Sequence, residues 1–147
     1  MVKRDLGALV ASGILAGAVL NAGEFVLNGI FLNGAWADAM RSLARPPIQG
    51  PAIAWLNVLG FALGIGMMAI YPLFLARLSS ARKAAILVGL VGWCFAYVIG
   101  FGWSFVLGVF PGTIYYSTLA WSLFELPLSC LAGAWLDHRI RARIQAR

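Results

Sequence analysis

Residues 84–110 read AAILVGLVGWCFAYVIGFGWSFVLGVF, a run without one charged side chain that exceeds the ~20 residues a helix needs to cross hydrocarbon. Lipid offers no hydrogen-bond partners, so a segment surrounded by it must satisfy its own backbone, which a helix does. Three further apolar runs occupy 6–32, 52–76 and 114–136. The breaks between them are well marked. Segment 33–51 contains Arg45-Pro46-Pro47 and Gly50-Pro51, segment 77–83 contains Ser79-Ser80 with three basic residues, and Pro111-Gly112-Thr113 forms a tight turn. The pattern predicts an all-α integral membrane protein over 1–147: a single domain, a four-transmembrane-helix bundle with up-down-up-down topology.

Composition agrees. The chain is 62% hydrophobic and 11% charged, with mean hydropathy +0.88, far from the balance of a soluble domain. Its net charge of +6 does not indicate a nucleic-acid partner, because the basic residues border the spans instead of forming an accessible face. Lys3, Arg4, Arg77, Arg82, Lys83, Arg139, Arg141, Arg143 and Arg147 fall on one side, and only Arg41 and Arg45 of the eleven on the other. The positive-inside rule then places both termini in the cytoplasm of a bacterial-type inner (plasma) membrane. Trp36, Trp55, Tyr115 and Tyr116 are expected near the outer boundary and Trp135 near the inner one. The first run follows Met1-Val2-Lys3-Arg4 as a signal peptide would, with Ala35-Trp36-Ala37 resembling a cleavage site, but it is too long for a signal core.

Outside the spans little material remains. In 33–51, Trp36, Met40 and Leu43 follow helical spacing, consistent with either a short surface helix or an irregular loop. The tail 137–147 is expected to extend the fourth helix by two or three turns, its arginines close to anionic lipid. Cys94 and Cys130 lie within apolar runs and read as small apolar residues.

Helices in lipid associate through close packing of small residues and interhelical hydrogen bonds. Gly13 and Gly17 form a GxxxG pair in the first span, Gly60 and Gly64 in the second, and Gly100, Ser104 and Gly108 a ridge in the third. Each predicts a close contact, within the chain or between copies.

Two glutamates carry the functional question, because an ionisable group within an apolar span is costly and usually serves a function. In the first span Gly13, Gly17, Asn21, Glu24 and Asn28 share a helical face; in the fourth Thr118, Ser122, Glu125 and Ser129 do. At about 1.5 Å per residue, Glu24 lies about 12 Å and Glu125 about 16 Å from the outer boundary. The two depths differ by about one helical turn, and first and fourth helices are neighbours in such a bundle. No lysine, arginine or histidine within a span balances them. An unpaired carboxylate in hydrocarbon takes up a proton, so at least one of the two is expected to be protonated at neutral pH. Pro127 removes a helical donor two residues away. Asn57, Tyr71, Trp103 and Ser104 form less regular stripes, and Tyr97 with one tryptophan is expected to line the cavity and favour a cation.

The bland alternative is that protonated glutamates hydrogen-bond Asn or Ser and act as packing glue. His138 lies at a helix end, and neither HExxH, GxSxG nor a glycine-rich phosphate loop occurs, so no cofactor or metal is expected and ordinary metalloprotease, serine hydrolase and nucleotide-driven chemistries are disfavoured. The leading expectation is a polar cavity lined by Glu24, Glu125, Asn21, Asn28, Ser122, Ser129 and Tyr97 that binds, and transports, a proton or a small cationic or amphipathic solute. The alternatives are a non-catalytic subunit or assembly module, as a homo-oligomer or in a larger membrane complex, and an acid/base enzyme acting on a lipid-soluble substrate.

Overall fold

The computed structural model describes residues 6–146; Lys3, Arg4 and Arg147 of the charge count lie outside the described residues. Helix α1 (Leu6–Glu24) continues as a π-helical segment, π1 (Phe25–Phe31), followed by α2 (Asn33–Ser42). Then come α3 (Pro51–Leu75), α4 (Ala81–Trp93), a second π segment π2 (Cys94–Phe101), α5 (Gly102–Val106) and α6 (Gly112–Gln145). Four continuous helices are long and apolar enough to cross a membrane: Leu6–Phe31, Pro51–Leu75, Ala81–Val106 and Gly112–Gln145.

Their ends follow from local chemistry. The third span begins three residues before the apolar run because the Ser80 side chain caps it, accepting from the Lys83 N–H at 3.4 Å. It stops short of residue 110 because Gly108, at φ 68°, closes the helix: its N–H donates to the Phe105 carbonyl and that of Val109 to Ser104, both at 2.9 Å. Gly108 is therefore a helix terminator, and no neighbour would touch a side chain placed there. The expected ridge of Gly100, Ser104 and Gly108 does not form a packed contact within the chain, since the nearest atom to a Gly100 side chain is the Phe95 carbonyl of its own helix. The segment after the first span forms a helix, α2, and the fourth helix runs past Leu136 to Gln145.

The two GxxxG pairs meet each other. A Cβ on Gly13 would lie 2.6 Å from Ile65 Cα, one on Gly17 2.7 Å from Phe61 Cα, and one on Gly64 2.7 Å from the Gly13 carbonyl. The backbones of α1 and α3 thus touch, in opposite directions. The neighbouring face of α1 packs on α6: a Cβ on Gly133 would meet the Ser12 carbonyl at 2.9 Å, and Ser12, Ala16, Leu20 and Leu27 are buried. Gly89 performs the same service for α4, where a Cβ would lie 2.5 Å from Pro127. Pro127 sits inside α6 and faces that close contact.

The core lies in the half of the bundle that carries Leu6 and the end of α6. Tyr71, Met67, Met68, Ala84, Val88, Leu126 and Cys130 fill it together with Ala16 and Leu20. The other half is looser. Residues 51–59 are exposed throughout, and π2 has no buried residue.

Candidate functional site

Glu24 is the last residue of α1 before the backbone widens into π1, where the Leu32 N–H reaches back five residues to the Leu27 carbonyl at 2.8 Å. Single π turns inside α-helices occur frequently at functional sites because they re-phase the side chains that follow. Here Asn28 donates its amide N–H to Glu24 Oε2, and Trp36 Nε1 of α2 donates to Asn28 Oδ1 at 2.8 Å. From the third span, the Tyr97 hydroxyl in π2 donates to Glu24 Oε1. Both π segments thus contribute to one network, in which the Glu24 carboxylate receives a donor on each oxygen. The Trp36 ring also packs edge-on against Phe110, its centroid 5.0 Å away, which covers the network from the side of α2.

Glu125 is held differently. It is 7% exposed, and neither carboxylate oxygen has a hydrogen-bond partner among the described residues. Its Oε1 occupies the place a side chain on Gly23 would take, so Glu125 rests on the α1 backbone next to Glu24. Two further buried polar atoms without partners stand on the same side of α6, Thr118 Oγ1 and Trp121 Nε1. Trp121 lies close to the carboxylate without hydrogen-bond geometry, and its ring leans on Phe31 of π1 at 6.4 Å between centroids. Glu125 is within electrostatic reach of Glu24, and Tyr97 of both. Among the described residues no basic side chain pairs with either acid.

The remaining expected residues divide. Ser122 donates to the Thr118 carbonyl at 2.6 Å and Ser129 to the Glu125 carbonyl at 2.9 Å, so both hydroxyls are engaged with their own helix. Asn21 turns to α3, donating to the Asn57 carbonyl at 3.0 Å. The structure therefore gathers Glu24, Asn28, Tyr97 and Glu125, and directs Asn21, Ser122 and Ser129 elsewhere. Two tryptophans, Trp36 and Trp121, stand where one was expected, and Gly23 is added. Trp121 stands four residues before Glu125, a spacing visible in the sequence; Gly23 lies off the polar stripe and only its packing reveals it.

A second polar cluster sits at the opposite end. Asp137 is 4% exposed and accepts from Arg141 Nε at 2.7 Å, while the Tyr71 hydroxyl, also buried, lies 3.4 Å from His138 Nε2. No group of three or more His, Cys, Asp or Glu side chains among the described residues could hold a metal ion.

Comparison with known proteins finds no matching family, no matching curated protein and no matching solved structure. The functional reading rests on the geometry alone.

Proposed function

We propose that this chain is a four-span inner-membrane protein, up-down-up-down with both termini cytoplasmic, that binds a proton at the Glu125–Glu24 pair and passes it across the membrane. One observation carries the reading: a buried carboxylate whose two oxygens lack partners, set against glycine backbone beside a second acid that is fully hydrogen-bonded. A group left in that state in a low-dielectric interior has a strong demand for a proton or cation. The backbone of Gly23 and the ring of Trp121 stand against the Glu125 carboxyl, which favours a proton over an amphipathic solute. The Trp36–Asn28–Glu24–Tyr97 chain holds the Glu24 carboxylate in place beside Glu125.

The test is proton flux into vesicles containing the purified protein, driven by a potassium diffusion potential and read with an internal pH dye. Wild-type flux should exceed that of empty vesicles, and Glu125→Gln, which keeps shape but cannot titrate, should lower it by about tenfold or more. Wild-type flux equal to empty vesicles, or full flux in a folded Glu125→Gln, would overturn the proposal.

A second reading is favoured by the loose half of the bundle. Trp55, Leu56 and Leu59 of α3 and Phe95, Ile99 and Trp103 of the third span are all exposed, and Gly100 has no packed partner. In that reading the chain is a subunit whose exposed half-spans receive a helix from another copy or another protein. Native mass measurement of the protein extracted in mild detergent distinguishes the two, since a monomer with proton flux excludes an obligate assembly role.

A further inference from the structure

A groove of about 790 Å³ opens between the start of α4 and the last third of α6. Its floor is apolar, with Leu131, Ala134 and Trp135, and its rim is basic, with Arg82, Arg139 and Arg143. The Arg139 guanidinium lies over the Trp135 ring, 4.9 Å from its centroid, which fixes that charge at the edge of the apolar floor. No acidic residue lines the groove. The chain's described acids are also engaged elsewhere: Asp137 with Arg141, Asp38 with Arg41, and Glu24 and Glu125 in the interior. The three guanidiniums therefore have no carboxylate partner among the described residues.

Position adds to composition. From Leu131 to Arg139 the helix rises about 12 Å, which matches the headgroup layer plus the first methylenes of an acyl chain. Trp135, half-way along, is 54% exposed and stands where a tryptophan marks a membrane boundary. From Leu131 the exposed apolar side chains of Leu128 and Phe124 follow at helical spacing along α6, which gives an acyl chain an apolar face to follow.

The geometry points to a binding site for an anionic phospholipid, its phosphate held between Arg82, Arg139 and Arg143 and the root of its acyl chain laid along Leu131, Ala134 and Trp135. This site is separate from the glutamates and does not depend on the proton reading. A fork of planar guanidiniums suits phosphate oxygens, and an apolar trough beneath them distinguishes a lipid from a soluble phosphate.

The experiment uses the full chain reconstituted with spin-labelled lipids, comparing phosphatidylglycerol with phosphatidylcholine in the motionally restricted fraction. Wild type should prefer phosphatidylglycerol. The preference should fall by about fivefold for each arginine changed to glutamine and vanish in the triple variant R82Q/R139Q/R143Q. The double variant R41Q/R45Q, at the other end of the molecule, should keep the preference. Soluble glycerol phosphate in millimolar excess should not displace the lipid. Three results would each overturn the site: a triple variant with wild-type preference, an equal loss in R41Q/R45Q, or displacement by glycerol phosphate. Retained near-ultraviolet circular dichroism in the variants shows that any loss is local.

Discussion

Glu24 and Glu125 are the same residue at similar depth on adjoining helices, yet the fold treats them oppositely. Glu24 has a donor on each oxygen, supplied by Asn28 from its own helix and Tyr97 from the third span. Glu125 has none; its carboxylate rests on the Gly23 backbone, with the Trp121 ring close by but outside hydrogen-bond geometry. The difference originates in the helices that carry them. The first and third spans both widen into π turns at this level, which swings polar side chains toward Glu24, whereas α6 is regular and Ser122 and Ser129 bond carbonyls four residues earlier in it. One acid is fixed by a donor on each oxygen, and its neighbour is left as a buried carboxylate without a donor.

That comparison is most easily broken at Gly23. Replacing it with valine puts a side chain where the Glu125 carboxylate lies, and overpacking of this kind should cost about 1–3 kcal/mol, read as a lower melting temperature in detergent. The loss should shrink when Glu125 is also cut to alanine; a cost unchanged in the double variant would mean that the clash lies elsewhere. Tyr97→Phe comes next. It removes one donor from a half-buried carboxylate, which should destabilise by about 1 kcal/mol and leave one Glu24 oxygen without a donor, as both are in Glu125. An unchanged melting temperature would show that the hydroxyl bond contributes nothing. Trp36→Phe keeps the ring on Phe110 and deletes only the bond to Asn28, so a loss near 0.6 kcal/mol, about the average for a hydrogen bond between helices in lipid, is expected. Smallest of all is Ser129→Ala, within about 0.5 kcal/mol and without effect on proton flux, because its hydroxyl is tied to the Glu125 carbonyl of its own helix. A large loss of flux there would return Ser129 to the site.

The four long apolar helices and the two paired glycine motifs were legible because they depend on length, hydropathy and a fixed spacing of four. The polar stripe of the first span was legible only in part. Gly13, Gly17 and Asn21 do share a face, but that face meets α3, where Asn21 bonds the Asn57 carbonyl. Asn28 leaves the stripe because the π turn begins directly after Glu24, and a constant angle per residue cannot anticipate it; Glu24, still in α1, turns to Tyr97 of the third span. That the Gly100 and Gly108 ridge makes no contact within the chain has a related cause. Spacing identifies small residues but not whether one closes a helix, as Gly108 does with its positive φ. Asp137, the first residue of the tail expected to extend the fourth helix, is buried beside Arg141 because α6 keeps packing past the end of its apolar run.

In the proposed function Glu125, the unpartnered acid, is the group that exchanges a proton. Infrared difference spectroscopy on the reconstituted protein, cycled between about pH 5 and pH 9, reads this directly through the carboxylic acid carbonyl band. A reversible band should persist in Glu24→Gln, shifted by the loss of its neighbour's charge, and disappear in Glu125→Gln. A band that survives intact in Glu125→Gln and is lost in Glu24→Gln would contradict it.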